Sequence, residues 1–247
     1  MERQYKVSKE RWESAQTFEK EHWIKTQKVR ARYGKNFLWR ILSLLGLKSK
    51  YRGNDWNDWW KNHFDNYDFL PLELENAIEL GCGPYTNIRF ISEKSRIKHL
   101  FLSDPLIKDY INFKLTFVRE KYIKGFCILD DHPIEECPFK SNYFNSTVMI
   151  NVLDHVQDAE MCIKEAIRIT KIDGILILGQ DLTNNKDLEN KEIKNDIGHP
   201  IKIEHEYLES FFKDNFNTII KKILPREQGR APDCHYGTYI FAGKKVN

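Results

Sequence analysis

The 247-residue chain has no apolar run near the roughly 20 residues that a membrane-spanning helix needs, which excludes such a span. The first residues, Met1-Glu2-Arg3-Gln4, carry no apolar core segment, so no signal peptide is expected. Cysteine is sparse: the five stand at 82, 127, 137, 162 and 234, with no C-x-x-C pair and no zinc-ligand spacing. Their number is odd, and Cys82, Cys127 and Cys162 sit among apolar neighbours, which predicts packed thiols in a reducing, cytoplasmic compartment. No G-x-x-x-x-G-K-[ST] occurs, so a P-loop is excluded. The formal charge of +3 is too small to argue for a nucleic-acid partner.

What is present is 41% apolar and 30% charged, the balance of a globular chain long enough for one α/β domain plus an appendage. The rest is organised around Asn76-Ala77-Ile78-Glu79-Leu80-Gly81-Cys82-Gly83-Pro84-Tyr85-Thr86. This reads as a buried strand over about 76–80, a Gly-x-Gly turn, and a helix from about Tyr85. Gly81 and Gly83 allow positive φ and close approach of backbone N–H groups to a ligand. A dinucleotide site wants a third glycine, and Thr86 stands there instead. Glu79 would sit badly beside a pyrophosphate and well beside a cation. S-adenosylmethionine (SAM) carries a sulfonium and an ammonium, so the turn suits SAM better than NAD. Asp104 closes a second apolar strand, Ile97 to Pro105, 21 residues after Gly83; an acid at that spacing holds ribose hydroxyls in Rossmann-like sites.

Glu79-Leu80-Gly81-Cys82-Gly83 resembles the first motif of the class I SAM-dependent methyltransferases, and Leu153-Asp154-His155-Val156 resembles a second signature of that family. The likeness covers roughly two-thirds of the chain. It implies a Rossmann-like seven-stranded sheet with strand 7 antiparallel, over residues 71–247, preceded by a helical extension or lid over 1–70. It implies SAM as cofactor, held by Glu79, Gly81, Cys82, Gly83, Asp104 and Asn151, with Asp130 or Asp131 at the adenine amine. The remaining strands are expected at about 124–129, 146–151, 175–179, 217–224 and 236–243, with Asp158 capping a helix that runs to Thr170. Residues 171–174 are read as a turn, and a helix is expected over about 205–213. Some related hydroxyl methyltransferases hold a divalent ion here, but Asn151 replaces one of the acids they use, so no metal is expected. DNA amino-methyltransferases need prolines after strand four, and Asn151-Val152-Leu153-Asp154 has none.

Residues 1–70 show helical periodicity. Trp12, Ala15, Phe18, Trp23 and Ile24 fit one helix face. Phe37 to Leu45 form a second run closed by Gly46, and Trp56 to Phe64 a third with Asn54 and Asp55 as N-caps. Trp56, Trp59, Trp60 and Tyr67 are candidate lid residues. No acid occurs between Glu21 and Asp55, whereas Lys25, Lys28, Arg30, Arg32, Lys35, Arg40, Lys48, Lys50 and Arg52 all do. An anionic partner is one reading: a phosphorylated substrate, a membrane surface or RNA. A solvated basic face is the blander one and is preferred.

Methyl transfer to an alcohol needs alignment and a base for the acceptor proton, and histidine titrates in the useful range. His155, oriented by Asp154, and His199 are the candidate bases. Gln180, Asp181, Asn184, Arg226, Arg230 and His235 form polar loops that suit a sugar, nucleotide-sugar or phosphorylated acceptor. The chain resembles bacterial enzymes that modify capsule or surface polysaccharide, and a capsular phosphoramidate precursor is one acceptor within that reading. The alternatives are an RNA methyltransferase and a SAM-binding partner subunit without catalysis.

Overall fold

The computed structural model describes residues 4–34, 36–47, 55–230, 232 and 237–247. Three helices lead: α1 (Lys9–Gly34), α2 (Phe37–Leu44) and α3 (Asp55–His63). Then come β1 (Glu73–Leu80), α4 (Ile88–Lys94), β2 (Arg96–Ser103), α5 (Ile107–Tyr110), α6 (Phe117–Ile123), β3 (Ile128–Asp130) and β4 (Phe144–Ile150). The chain ends with α7 (Ala159–Ile169), β5 (Thr170–Asp181), α8 (Lys191–Lys194), α9 (His205–Phe212), β6 (Phe216–Pro225) and β7 (Gly237–Lys245).

The seven strands form one sheet in the order β3-β2-β1-β4-β5-β7-β6. β1 to β5 pair in parallel, and β7 is antiparallel to both neighbours. This is the expected seven-stranded α/β architecture. β1 lies centrally because its last five residues are apolar or capped and bury on both faces. Alternation along the strands sorts two cores. Ile78, Leu80, Met149, Leu178 and Phe241 face α7 and α9. Leu102, Val148, Ile150, Ile177 and Ile240 face Ile88 and Ile91 of α4 and the aromatic run Trp60, Phe64 and Tyr67. Trp60 lies over Gly179, where any Cβ would meet its ring. Tyr67 is wholly buried, so it is core and not lid. The N-cap expected at Asn54 and the lid side chain of Trp56 fall outside the described residues.

Several boundaries differ from expectation. α4 starts at Ile88 because residues 84–87 turn back and leave Asn87 N and Ile88 N aimed at Glu79. β3 starts at Ile128, since Gly125 (φ +66°) closes α6 with its N–H on the Tyr122 carbonyl. The expected turn over 171–174 lies inside β5, where pairing with β4 slips between Phe144 and Ser146 and Asp173 takes φ +62°. α9 ends one residue early, at Phe212. Asp158 caps α7 as expected, its Oδ1 accepting from Met161 N at 3.0 Å.

α1 is tied to the sheet domain along its length. Arg11 donates to the carbonyls of Asp196 and Ile197, Gln16 Nε2 donates to the His155 carbonyl, and Lys20 pairs with Asp109. Ala15 and Trp23 of the expected stripe are buried, and Phe18 packs on Gly198 while staying 45% exposed.

Candidate functional site

A cavity of about 650 Å³ opens where the parallel strands end. Gly81, Cys82 and Gly83 after β1, Asp104 and Pro105 after β2, Pro133, Ile134 and Glu135 after β3, and Asn151, Val152 and His155 after β4 line it. Trp12, Gln16, Glu19, His22 and Trp23 of α1, with Asn57 and Trp60 of α3, complete the wall. The volume lies within the ~300–1,000 Å³ of small-molecule sites, and the carboxyl ends of parallel strands are where α/β sheets bind ligands.

The two glycines are needed for different reasons. Gly81 has φ +62°, and a Cβ there would lie 2.6 Å from both Val152 methyls. Gly83 has φ +55°, and a Cβ there would meet nothing within 4 Å, so it would project into open space beside the cavity. Asp104 is fixed by the turn it faces. Its Oδ2 accepts from Gly83 N at 3.0 Å and its Oδ1 from Leu106 N at 2.8 Å. Burial raises its pKa to about 6 against those two bonds, so it is mostly ionised at pH 7. Each oxygen keeps acceptor capacity for a hydroxyl. Burial likewise drives the Cys82 thiol well above its ordinary range, which keeps it a neutral wall residue.

Glu79 lines the cavity, and its carboxylate also serves α4: Oε1 accepts from Asn87 N (2.9 Å) and Nδ2 (3.3 Å), and Oε2 from Ile88 N (2.9 Å). The orphan N–H groups of a helix start and a buried acid satisfy one another. Burial outweighs those bonds and raises its pKa to about 7. Asn151 lines the cavity at φ +57°, and its Oδ1 accepts from Asp181 N at 3.2 Å.

On the same cavity wall His155 and His199 lie with ring centroids 4.6 Å apart, tilted by 54°. Asp154 lies behind them, buried, its Oδ1 3.7 Å from His155 Nε2. His199 Nδ1 meets Asp196 Oδ2 at 2.7 Å. Burial opposes the charged ring of His199, but the Asp196 bond and the Asp154 and Asp196 carboxylates outweigh it and raise its pKa. The bond to His199 in turn holds Asp196 well below the usual carboxylate range. Asp154, His155 and His199 each place one polar atom within 4.8 Å of the others, a spacing that could surround a small cation.

Asp130 and Asp131, expected at the adenine, do not line the cavity. Asp130 accepts from Ser103 Oγ (2.8 Å) and pairs with His132, and Asp131 pairs with Lys108. Pro133, Ile134 and Glu135 occupy the place instead. Three of the expected substrate residues have structural work. Gln180 is wholly buried, its Oε1 accepting from Leu153 N. Asp181 accepts from Arg230 Nε (3.0 Å) and Thr238 Oγ1 (3.1 Å). Asn184 caps Asp187 N from the surface. Arg230 does line the cavity, whereas Arg226 donates to the Pro232 carbonyl on the exterior. His235 lies outside the described residues. A lid was expected from residues 1–70, but its named candidates did not include Trp12 and Trp23 of α1, and the Asp196 partner of His199 went unread in the sequence. The Asp-x-x-His spacing at 196–199 was the available signal for the latter.

Residues 78–178 match the family described as a methyltransferase domain. No curated protein matches the chain. Among solved structures, the chain is similar to the sarcosine dimethylglycine methyltransferase assigned in Galdieria sulphuraria (10% identity, 77% of this chain and 85% of that one, TM-score 0.60). It is also similar to the N-methyltransferase NodS from Bradyrhizobium japonicum, solved with S-adenosyl-L-homocysteine (12%, 80% and 88%, TM-score 0.55). A third likeness is to the complex of the Haloferax volcanii Trm112 methyltransferase activator with its methyltransferase (13%, 79% and 95%, TM-score 0.56). At these identities the likeness is one of fold: the Rossmann-like sheet of class I methyltransferases.

Proposed function

We propose that this protein transfers a methyl group from SAM to an oxygen of a small polar acceptor held against His155 and His199. The observation that carries the reading is that one cavity is lined both by the Gly81–Gly83 turn with Asp104 and by the histidine pair. The cofactor is SAM. The cavity's residues fit it: the open face of Gly83 admits the amino-acid part, the Asp104 carboxylate retains acceptor capacity for a ribose diol, and Pro105, Pro133 and Ile134 offer an apolar bed for a purine.

The cofactor supplies an electrophilic methyl group; the chain supplies alignment and a proton acceptor. Trp12 and Trp23 of α1 add aromatic wall to the cavity, and a held pair of reactants can gain up to ~7–11 kcal/mol from proximity. With Nδ1–H donating to Asp196, neutral His199 keeps the Nε2 lone pair for the acceptor hydroxyl. Asp154 favours the imidazolium that results. Since Asp181 neutralises Arg230, a neutral sugar hydroxyl suits the site better than a phosphate. The surface-polysaccharide or capsule setting rests on the resemblance of the motifs.

The test is release of S-adenosylhomocysteine (SAH) from SAM over pools of sugars, nucleotide-sugars and phosphorylated sugars, with and without chelator. His199→Ala is expected to lower kcat about 10²–10⁴-fold while SAH binding stays within about twofold. SAH binding with no turnover on any pool would favour a non-catalytic SAM-binding subunit. A requirement for a divalent cation would assign the Asp154–His155–His199 cluster to metal in place of proton transfer.

A further inference from the structure

α2 is an eight-residue helix with no buried residue. Its ends are closed by its own chain: Asn36 Oδ1 accepts from Leu38 N, and Leu47 N and Gly46 N return to the carbonyls of Leu42 and Ser43. Phe37, Leu38, Ile41, Leu44 and Leu45 follow i, i+1, i+4, i+7, i+8, which is one helix face. Phe37 is 73%, Leu44 87% and Leu45 65% exposed, and Leu47 beyond the cap is exposed too. So short a helix is marginal in water without a cover for such a face.

The charge around it is one-sided. Residues 22–54 hold nine Lys and Arg and no acid, so the rest of the chain, with 30 bases and 36 acids, is formally −6. An aliphatic face in a segment that carries bases and no acid fits an anionic lipid surface: acyl chains take the leucines and headgroup phosphates take the bases. A second copy of the chain would bring nine like charges against nine. RNA would call for stacked rings, and this face is aliphatic but for Phe37.

We propose that α2, with the basic residues on either side of it in sequence, docks this protein in the interface of anionic membranes. The inference is independent of the reaction, and no helix among the described residues is long and apolar enough to cross a membrane. The experiment is flotation of the full chain with vesicles of phosphatidylcholine alone and with 30% phosphatidylglycerol, in low and high NaCl. Binding to the anionic vesicles is expected to be about tenfold or more above that to neutral ones, and to fall steeply with salt. Leu44→Glu/Leu45→Glu is expected to weaken it about 100-fold or more, with the thermal melt and SAH affinity unchanged. Absence of binding to anionic vesicles, equal binding to neutral ones, or binding that the double variant leaves intact would each overturn the proposal. So would sedimentation showing a dimer that the same double variant dissolves, because a second copy would then cover the face.

Discussion

Gly81 and Gly83 look equivalent in sequence, yet the structure assigns them separable costs. Both sit at positive φ, where an L side chain costs about 1–2 kcal/mol. At Gly81 the new methyl would also lie 2.6 Å from Cγ1 and Cγ2 of buried Val152, and such overpacking costs roughly 1–3 kcal/mol more. Gly81→Ala should therefore destabilise by about 2–5 kcal/mol in urea unfolding, and Gly83→Ala by about 1–2. Val152→Ala removes the obstructing methyls, so Gly81→Ala/Val152→Ala should be more stable than the sum of the single changes by about 1–3 kcal/mol. Ligand binding should sort the other way. Gly83→Ala puts its methyl beside the cavity and should weaken SAH at least about tenfold in calorimetry while folding nearly normally. Equal stability costs at the two glycines, or additivity of Gly81→Ala with Val152→Ala, would refute the packing argument. Wild-type SAH affinity in Gly83→Ala would refute the placement of the cofactor.

The pH profile should report His199. Its pKa is raised and the neutral ring is the base, so kcat/KM should climb with pH through a value above the ordinary 6.5. Asp196→Asn removes the bond that raises it and should shift that limb to lower pH; an unmoved limb would assign the titration elsewhere. The same pair makes a stability contribution that is complete below the unfolded pKa of about 6.5 and lost as pH rises through the folded value, which melts at a series of pH values would follow. Arg230→Ala leaves Asp181 buried without its cation and should cost about 3–5 kcal/mol, partly restored by Asp181→Asn. A variant as stable as wild type but defective for an anionic acceptor would make Arg230 a substrate-binding residue.

The legible parts of this chain were local. A strand that ends in an acid and two glycines, and an acid 21 residues on, encode a geometry in which Asp104 meets Gly83 at 3.0 Å. Asp158 as a helix cap is an equally local signal, whereas β7, expected to alternate, is buried along nearly its whole length because it pairs on both sides. Less legible were polar residues with two plausible partners. Glu79 could face a cofactor cation or the start of α4, and the backbone path of residues 84–87 brings its carboxylate to the helix start while it still lines the cavity. Gln180 and Asp181 follow a buried strand into the crevice region, but bonds to Leu153 N and Arg230, 27 and 49 residues away, turn them into scaffold. Which residues of the N-terminal helices reach the cavity could not be read, because that depends on α1 meeting loops more than a hundred residues distant.

The central claim is that the cavity between the Gly81–Gly83 turn and the His155–His199 pair is a SAM site. Calorimetric titration with SAM, SAH and NAD, on the wild type and on Asp104→Ala, tests it most directly. The account predicts micromolar binding of both sulfur ligands, loss of that binding in Asp104→Ala, and no heat from NAD. Binding of NAD without SAM, or undiminished SAH affinity in Asp104→Ala, would contradict it.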